Sequence, residues 1–269
     1  MPELPEVETV RRELAPAMEH ARFTDVVLRR RDLREPFPKR FRERLIGERV
    51  IAVERRAKYL VVPLSSDETL LMHLGMSGSF RVGDADTIPH DHVVFHMSSG
   101  AVVTFNDPRR FGLMDLVRAG KLASHPALSA MGPEPLSGAF DGFALARACG
   151  GKRTPLKIAL LDQRVVAGLG NIYASEALHL AGLSPRRPAS TIATPSGLPR
   201  PSAHRLAAAI KKVLEDAIAR AARPDDHGSS RFRVYDREAQ RCWRRGCAGT
   251  IRRRTQAGRS TFFCAGCQR

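Results

Sequence analysis

Four cysteines near the C-terminus constrain the fold of this chain more than any other feature. They form two close pairs, Cys242 with Cys247 and Cys264 with Cys267, and sixteen residues separate the pairs. Four thiolates spaced in this way suit tetrahedral zinc and leave no position for a catalytic water. Because such a short segment gains its folding energy from the metal, the spacing predicts one structural zinc ion in a C-terminal finger.

The charge of the chain predicts a polyanionic partner. Its 269 residues carry 44 Lys and Arg against 28 Asp and Glu, a formal net charge of +16. This balance favours nucleic acid first and an anionic membrane surface second. We expect no transmembrane helix, because no apolar run reaches about 18 residues, and no secretion, because the acidic N-terminus lacks a hydrophobic signal region. The arginines that a finger would present to phosphates are Arg252, Arg253, Arg254 and Arg259.

The hydrophobic pattern changes twice along the chain. After a helical pattern over 5–15, short apolar runs separated by turn residues predict strands at 23–28, 50–53, 59–62, 70–73, 93–96, 102–105 and 113–117. Many short strands after one helix indicate a sheet sandwich. The middle third is helical, and its clearest helix covers 203–222 with Ser202 as the expected N-cap. The arginine-rich stretch over 231–269 follows.

The N-terminus is a candidate nucleophile. If Met1 is removed, Pro2 becomes a free secondary amine with Glu3 and Glu6 close by. An α-amino group has a pKa of about 7.7–8.0, so part of it is unprotonated at neutral pH and can attack an electrophilic carbon. The alternative is an ordinary processed N-terminus, and the dipeptide alone does not decide between the two.

Three internal segments also carry candidate binding residues. The glycines of Gly168-Leu169-Gly170-Asn171 open a helix, where backbone N–H groups can approach a phosphate beside Lys157 and Arg153. The segments 73–78 and 107–112 combine a cation, a large side chain and glycine, and they could supply a wedge that enters a base stack. For Met76 and Phe111 the alternative is core packing, and for a single lysine such as Lys58 it is a solvated surface charge.

Together these motifs resemble the bacterial formamidopyrimidine-DNA glycosylase family. The shared segments are 2–9, 55–60, 73–78, 107–112, 132–136, 168–176 and the four-cysteine finger, in the same order. The resemblance implies an α+β fold with an N-terminal β-sandwich domain carrying the first helix over 1–132. A helix–two-turn–helix domain over 133–228 and a zinc finger over 229–269 would follow. It implies base excision repair of damaged double-stranded DNA, in which an oxidised purine such as 8-oxoguanine or a formamidopyrimidine is flipped out and excised.

The resemblance also implies a set of site residues. Pro2 matches the nucleophile that attacks the sugar C1′ and leaves an imine, and Glu3 matches the general acid and base on the sugar. Lys58 matches a proton donor in β-elimination, and Arg259 matches the finger arginine of δ-elimination. The residues that match DNA contacts are His73, His90, Arg109, Arg153 and Asn171. Those that match the fillers of the hole left by the flipped base are Met76, Arg109 and Phe111.

Two other functions were weighed. An endonuclease VIII-type glycosylase for oxidised pyrimidines shares the nucleophile, the helical domain and the finger, but the residues at 4–9 favour the purine branch. The segment 223–230 is shorter than the usual lesion cap, so the lesion ranking and the opposite-base preference stay open. A non-catalytic zinc-finger protein would explain charge and cysteines but not Pro2, Glu3 and Lys58 together. We expect a monomer in the bacterial cytoplasm, associated with the nucleoid.

Overall fold

The computed structural model describes residues 2–83, 86–222 and 232–269. The chain divides into two compact units, Met1–Ser129 and Ala130–Arg269. The short segment 223–230 noted in the sequence lies outside the described residues. Within the described ranges, no helix is both long enough and apolar enough to cross a membrane.

The first unit is built from strands around one long helix. Its helices are α1 (Leu4–Met18) and α2 (Phe41–Leu45). Its strands are β1 (Phe23–Leu28), β2 (Glu54–Arg56), β3 (Tyr59–Pro63), β4 (Glu68–His73), β5 (Ser79–Val82), β6 (Asp91–Met97), β7 (Val102–Asn106) and β8 (Leu113–Arg118). A 3₁₀ turn, Ala119–Ser124, follows β8.

The strands form two antiparallel sheets that share one apolar core. The orders are β1-β6-β7-β5 and β2-β3-β4-β8. Alternate residues point inward, so Phe95 of one sheet and Leu70 of the other are fully buried in the same core. Val7 and Leu14 of α1 join this core. The predicted β-sandwich with its N-terminal helix is therefore confirmed.

The predicted strand over 50–53 was wrong, although its valines are buried. The backbone of Val50 bonds to Ala21 and His20 at 2.9 and 2.8 Å. The N–H of Val53 donates to the Glu19 carboxylate at 2.8 Å. This segment therefore follows the end of α1 and makes only an isolated bridge, from Val50 to Leu64.

The second unit combines helices with a C-terminal hairpin. The helices are α3 (Gly142–Cys149), α4 (Leu156–Leu161), α5 (Asn171–Ala181) and α6 (Pro201–Ala221), with a 3₁₀ turn at Ala189–Ile192. The hairpin strands are β9 (Ile251–Gln256) and β10 (Arg259–Cys264). Helix α6 packs on α3 and α5, and α5 also packs on β10.

Helix α6 begins earlier than the sequence predicted. Arg200 is its N-cap and Pro201 its first residue, so the predicted N-cap at Ser202 was wrong. Proline suits this place because it lacks the N–H that a first helical turn leaves without an intrahelical partner. The buried stripe of Leu206, Ile210 and Leu214 follows the predicted helical period.

Candidate functional site

The start of α1 holds Pro2 and Glu3 in a defined position. Pro2 is half-buried and precedes the helix, and Glu3 is its N-cap with only 2% exposure. The Glu6 carboxylate accepts the N–H of Glu3 at 2.8 Å, and the two glutamates form a capping box. Glu3 therefore stands at the positive end of α1, where its anionic form is favoured.

Lys58 lies in the tight turn between β2 and β3. The preceding Ala57 is fully buried and has a left-handed φ of 55°. The Arg55 guanidinium donates to the Ala57 carbonyl at 3.0 Å and to the Glu8 carboxylate at 3.2 Å. Since Glu8 belongs to α1, one ion pair connects the helix that begins beside Pro2 with the turn that carries Lys58.

Glu8 is ionised at every pH at which the protein would work. Burial opposes its ionisation, but hydrogen bonds from Arg11, Arg12 and Arg55 outweigh burial and lower its pKa to about 2. Three further hydrogen bonds come from the same helix, two from Arg11 at 2.9 and 3.1 Å and one from Arg12 at 2.9 Å. The anchor between α1 and the Lys58 turn is thus a permanent charge pair.

His73 ends β4 opposite Tyr59, and the two rings lie 4.6 Å apart. Burial lowers the pKa of His73 to about 4, with the nearby cations Lys58 and Arg34 acting in the same direction. Its Nδ1 accepts the N–H of Gly75 at 3.0 Å. His73 is therefore neutral at pH 7, and it can meet a phosphate as a hydrogen-bond donor through Nε2 but not as a cation.

The loops 73–78 and 107–112 touch backbone to backbone. Gly75 has φ +65°, and a Cβ placed on it would lie 2.3 Å from the carbonyl carbon of Phe111. Only glycine permits this approach, because every other residue would clash with the main chain. Beside this contact, Asp107 is fully buried and accepts from the Ser77 hydroxyl at 2.7 Å and the Gly112 N–H at 2.8 Å.

This contact brings the predicted wedge residues onto neighbouring loops. Met76 and Phe111 are 40% and 42% exposed, which is unusual for large apolar side chains and argues against their alternative role in the core. Arg109 is exposed, and its guanidinium lies 4.8 Å from the centre of the Phe111 ring. The exposed His90 is linked to the same loop, since its carbonyl accepts the N–H of Asp107 at 3.0 Å.

In the second unit, Asn171 begins α5 and meets the hairpin. Its amide Nδ2 donates to the Ser260 carbonyl at 3.0 Å, one residue from Arg259. Arg259 is exposed at the start of β10, after a turn in which Ala257 and Gly258 both have positive φ. Arg153 is exposed in the loop between α3 and α4.

Lys157 was expected beside a phosphate at the turn 168–171, but its ammonium group binds acceptors of the protein itself. It is fully buried, and its Nζ donates to Asn171 Oδ1 at 2.6 Å, to the Ser260 carbonyl at 2.8 Å and to Thr261 Oγ1 at 2.8 Å. A buried ammonium group needs such a complete set of acceptors. Lys157 on α4 therefore binds both α5 and β10, and its hydrogen bond to Asn171 Oδ1 orients that side chain.

The four cysteine sulfurs converge on one point. All lie within 4.8 Å of one another, with 3.8 Å between Cys242 and Cys267 and 3.6 Å between Cys247 and Cys264. Metal–sulfur bonds of about 2.3 Å in a tetrahedron place sulfurs about 3.8 Å apart. The N–H groups of Arg244 and Gly249 point at Cys242 and Cys247, each at 3.4 Å, as they do at thiolates. The cluster can hold a metal ion, and the donor set fits zinc.

Cys149 and Glu176 have structural roles. Burial raises the pKa of Cys149 to about 11, so this fifth cysteine is an inert core residue. The buried Glu176 of α5 accepts the N–H groups of Arg233, Val234 and Tyr235 at 2.7–2.9 Å. The sequence reading missed this anchor, because nothing in a lone helical glutamate indicates which distant backbone it binds.

The architecture defines a class of protein. The first unit is a β-sandwich whose first helix follows Pro2 and the buried Glu3, and the second unit joins helices to a four-cysteine hairpin. This architecture matches the domain plan of one class of DNA glycosylases. Two family descriptions match the chain: the formamidopyrimidine-DNA glycosylase N-terminal domain over residues 1–114 and the formamidopyrimidine-DNA glycosylase H2TH domain over 131–226.

Known proteins are similar to this chain over its whole length. The formamidopyrimidine-DNA glycosylase of Beijerinckia indica is 56% identical, with 100% of both chains covered. The crystal structure of the MutM (Fpg) protein of Thermus thermophilus superposes with a TM-score of 0.84 at 38% identity, covering 99% of this chain and 98% of that one. The Lactococcus lactis Fpg bound to DNA with an AP site gives 0.86 at 30% identity and full coverage of both. The chain belongs to the formamidopyrimidine-DNA glycosylase family, and it is a DNA glycosylase of base excision repair.

Proposed function

We propose that this enzyme excises oxidised purines, 8-oxoguanine and formamidopyrimidines, from double-stranded DNA and then cuts the strand by β,δ-elimination. The observation that carries the proposal is the pairing of Pro2 with the buried Glu3 at the start of α1. A related MutM structure contains DNA with a carbocyclic 8-oxoguanine, at a TM-score of 0.87 and 32% identity, which supports the purine branch.

In the proposed reaction Pro2 is the nucleophile, after removal of Met1. Its nitrogen lone pair attacks the sugar C1′, the bond from C1′ to the base breaks, and the base leaves with that electron pair and takes up a proton. The proline nitrogen then loses its proton, and its lone pair forms a C=N bond to C1′ as the bond from C1′ to the ring oxygen breaks. The released oxygen takes up a proton, and the opened sugar is left as a positively charged imine on Pro2. Glu3 exchanges these protons with the sugar. It follows Pro2 directly in the chain, and the capping box fixes its carboxylate at the start of α1.

Strand cleavage follows from the imine, which acidifies the neighbouring C–H bonds. Loss of a proton from C2′ expels the 3′ phosphate, and a second elimination expels the 5′ phosphate. Lys58 supplies a proton in the first elimination, and Arg259 binds phosphate beside the lesion during the second. The product is a gap with phosphate at both ends.

DNA binding engages residues of both units. His73, His90, Arg109, Arg153 and Asn171 contact the backbone, and Met76, Arg109 and Phe111 fill the space left by the flipped base. Flipping costs a few kcal/mol, which wedge and phosphate contacts offset. The net charge of +16 supplies a salt-sensitive, sequence-independent part of the affinity.

The finger depends on one structural zinc ion held by Cys242, Cys247, Cys264 and Cys267. All four positions of a tetrahedral ion are filled by thiolates, so this metal shapes the hairpin of β9 and β10 and takes no part in the chemistry.

We further propose that the second unit comprises a helix–two-turn–helix domain over 133–228 and the finger over 229–269, and that 1–132 forms the sandwich domain. The enzyme acts as a monomer in the bacterial cytoplasm, on the nucleoid.

Excision assays with matched duplexes test this function. One duplex carries 8-oxoguanine opposite cytosine and the other thymine glycol. Glu3→Gln should bind the first duplex as the wild type does but release its base at least about 100-fold more slowly. Glu13→Gln, at an exposed position on the same helix, is the control and should react normally. Wild-type activity in Glu3→Gln would remove Glu3 from the mechanism, and faster excision of thymine glycol would place the protein in the endonuclease VIII-type class.

A further inference from the structure

His179 is a polar residue at a buried place on α5. Its side chain is 1% exposed, among helix neighbours such as Leu178 and Ala181 that are also buried. The ring Nε2 lies 3.3 Å from Cys242 Sγ. A histidine is expensive to bury unless its ring nitrogens have partners. Nδ1 of His179 has none among the described residues, so the contact of Nε2 to a cysteine of the metal cluster calls for an explanation.

The direction of this bond follows from the chemistry of its partner. A metal-bound thiolate has no proton and can only accept, so His179 must donate Nε2–H to Cys242 Sγ. The N–H of Arg244 points at the same sulfur, at 3.4 Å. Two donors therefore converge on Cys242, from α5 and from the loop between the first two cysteines. Both stabilise negative charge on the sulfur, the form that binds the metal.

The same end of α5 is fastened to the finger a second time. The Arg244 guanidinium donates to the carbonyls of His179 and Leu180, the latter at 3.2 Å. At the other end of the helix, Asn171 bonds to β10, and Lys157 of α4 bonds to the same carbonyl of β10. Helix α5 is thus attached to the finger at both ends, and at its C-terminal end the attachment includes a metal-ligating sulfur.

We propose that His179 is a positioning residue for the zinc site, acting through its Nε2–H hydrogen bond to the Cys242 thiolate. The bond holds the zinc more tightly, and it couples the metal to the helix whose first residue, Asn171, is proposed to contact DNA. This inference rests on the zinc that we propose for the finger. Hydrogen bonds to the groups that ligate a metal commonly change metal affinity about 10–100-fold when they are removed.

The test compares His179→Phe, which keeps a flat ring but has no donor, with His179→Gln, whose amide can donate from nearly the same point. Zinc release to a chelating dye is timed in the full-length protein. Release should be about 10–100-fold faster in His179→Phe and close to wild type in His179→Gln. His204→Phe is the matched control, since His204 is exposed on α6 beside Phe143 and should not alter release.

Cobalt substitution gives a second readout that a general loss of packing would not mimic. Without its hydrogen bond, the Cys242 thiolate donates electrons more strongly, so the thiolate-to-Co²⁺ charge-transfer band should move to longer wavelength in His179→Phe and return in His179→Gln. Unchanged zinc release and an unchanged band in folded His179→Phe overturn the inference. If that variant does not fold, a wild-type-like result from His179→Ala serves the same purpose. Wild-type protein that contains no zinc and takes up no cobalt would instead refute the zinc site itself.

Discussion

The loops of the first unit and the finger of the second hold their exposed side chains by different means. The loops 73–78 and 107–112 are held together by a backbone contact at Gly75 and by hydrogen bonds to the buried Asp107. Both loops belong to the unit whose two sheets share one apolar core. The finger has a small interior of Val234, Ile251 and Phe262 together with two of its own cysteines. The comparison indicates that packing fixes the proposed wedge, whereas we propose that the finger needs its metal.

Removing the metal should give the largest difference between the two regions, because it should unfold the finger and leave the first unit folded. Trp243 is the chain's only tryptophan and lies between two cysteines, with the Arg237 guanidinium 3.4 Å from its ring centre. Chelation should therefore change tryptophan fluorescence and weaken DNA binding at least about 100-fold, because the finger unfolds. The far-UV signal of the two sheets should remain. Cys149→Ala is the control and should keep its zinc. DNA binding that survives verified loss of zinc would contradict the claim that the finger depends on its metal.

A glycine substitution tests the packing side of the comparison. Gly75→Ala places a methyl group 2.3 Å from the Phe111 backbone at a φ of +65°, so it should cost about 2–4 kcal/mol of the free energy of unfolding. Gly100→Ala is the control, because Gly100 also has a positive φ of +84° but no atom within 4 Å of the added carbon. It should cost about 1 kcal/mol. Equal losses in urea titrations would show that the loop contact does not matter.

The pH dependence of the first unit is a further test of its packing. His73 has a pKa of about 4 when folded against 6.5 in the unfolded chain. The unfolded state therefore binds more protons between these values, and stability falls as the pH is lowered from 6.5 to 4. The loss is up to about 3 kcal/mol. His73→Gln should flatten this slope, whereas His20→Gln, at a position outside the buried core, should not. An unchanged slope in His73→Gln would argue against a neutral His73.

Sequence patterns predicted much of this fold because they report on burial. The strands predicted from apolar runs, β1, β3, β4, β6, β7 and β8, begin and end within two residues of their expected bounds. Strands β2 and β5 were missed, since Glu54–Arg56 and Ser79–Val82 are short and largely polar or exposed. The segment 50–53 was misassigned because burial alone does not reveal which backbone a segment bonds to.

The site residues were predicted from motifs, which likewise do not reveal the distant partners that a side chain binds. The spacing of the cysteines predicted their cluster. The motifs 73–78 and 107–112 contain Gly75 and Asp107, but the sequence did not show that Gly75 permits a backbone contact or that Asp107 is a buried acceptor. The sequence did not indicate that Lys157 is buried, because its three acceptors lie in α5 and β10, well separated from it in the sequence. Glu176 and His179 act on residues more than fifty positions away, which no local pattern indicates.

The most direct test of the central claim is covalent trapping with borohydride. Protein lacking Met1 is mixed with the 8-oxoguanine duplex, reduced and digested, and the DNA-linked peptide is sequenced by mass spectrometry. The account predicts one adduct, on the nitrogen of Pro2, formed more rapidly than with thymine glycol. An adduct on a lysine such as Lys58, or tight binding with no adduct at all, would contradict the proposal that the N-terminal proline is the nucleophile.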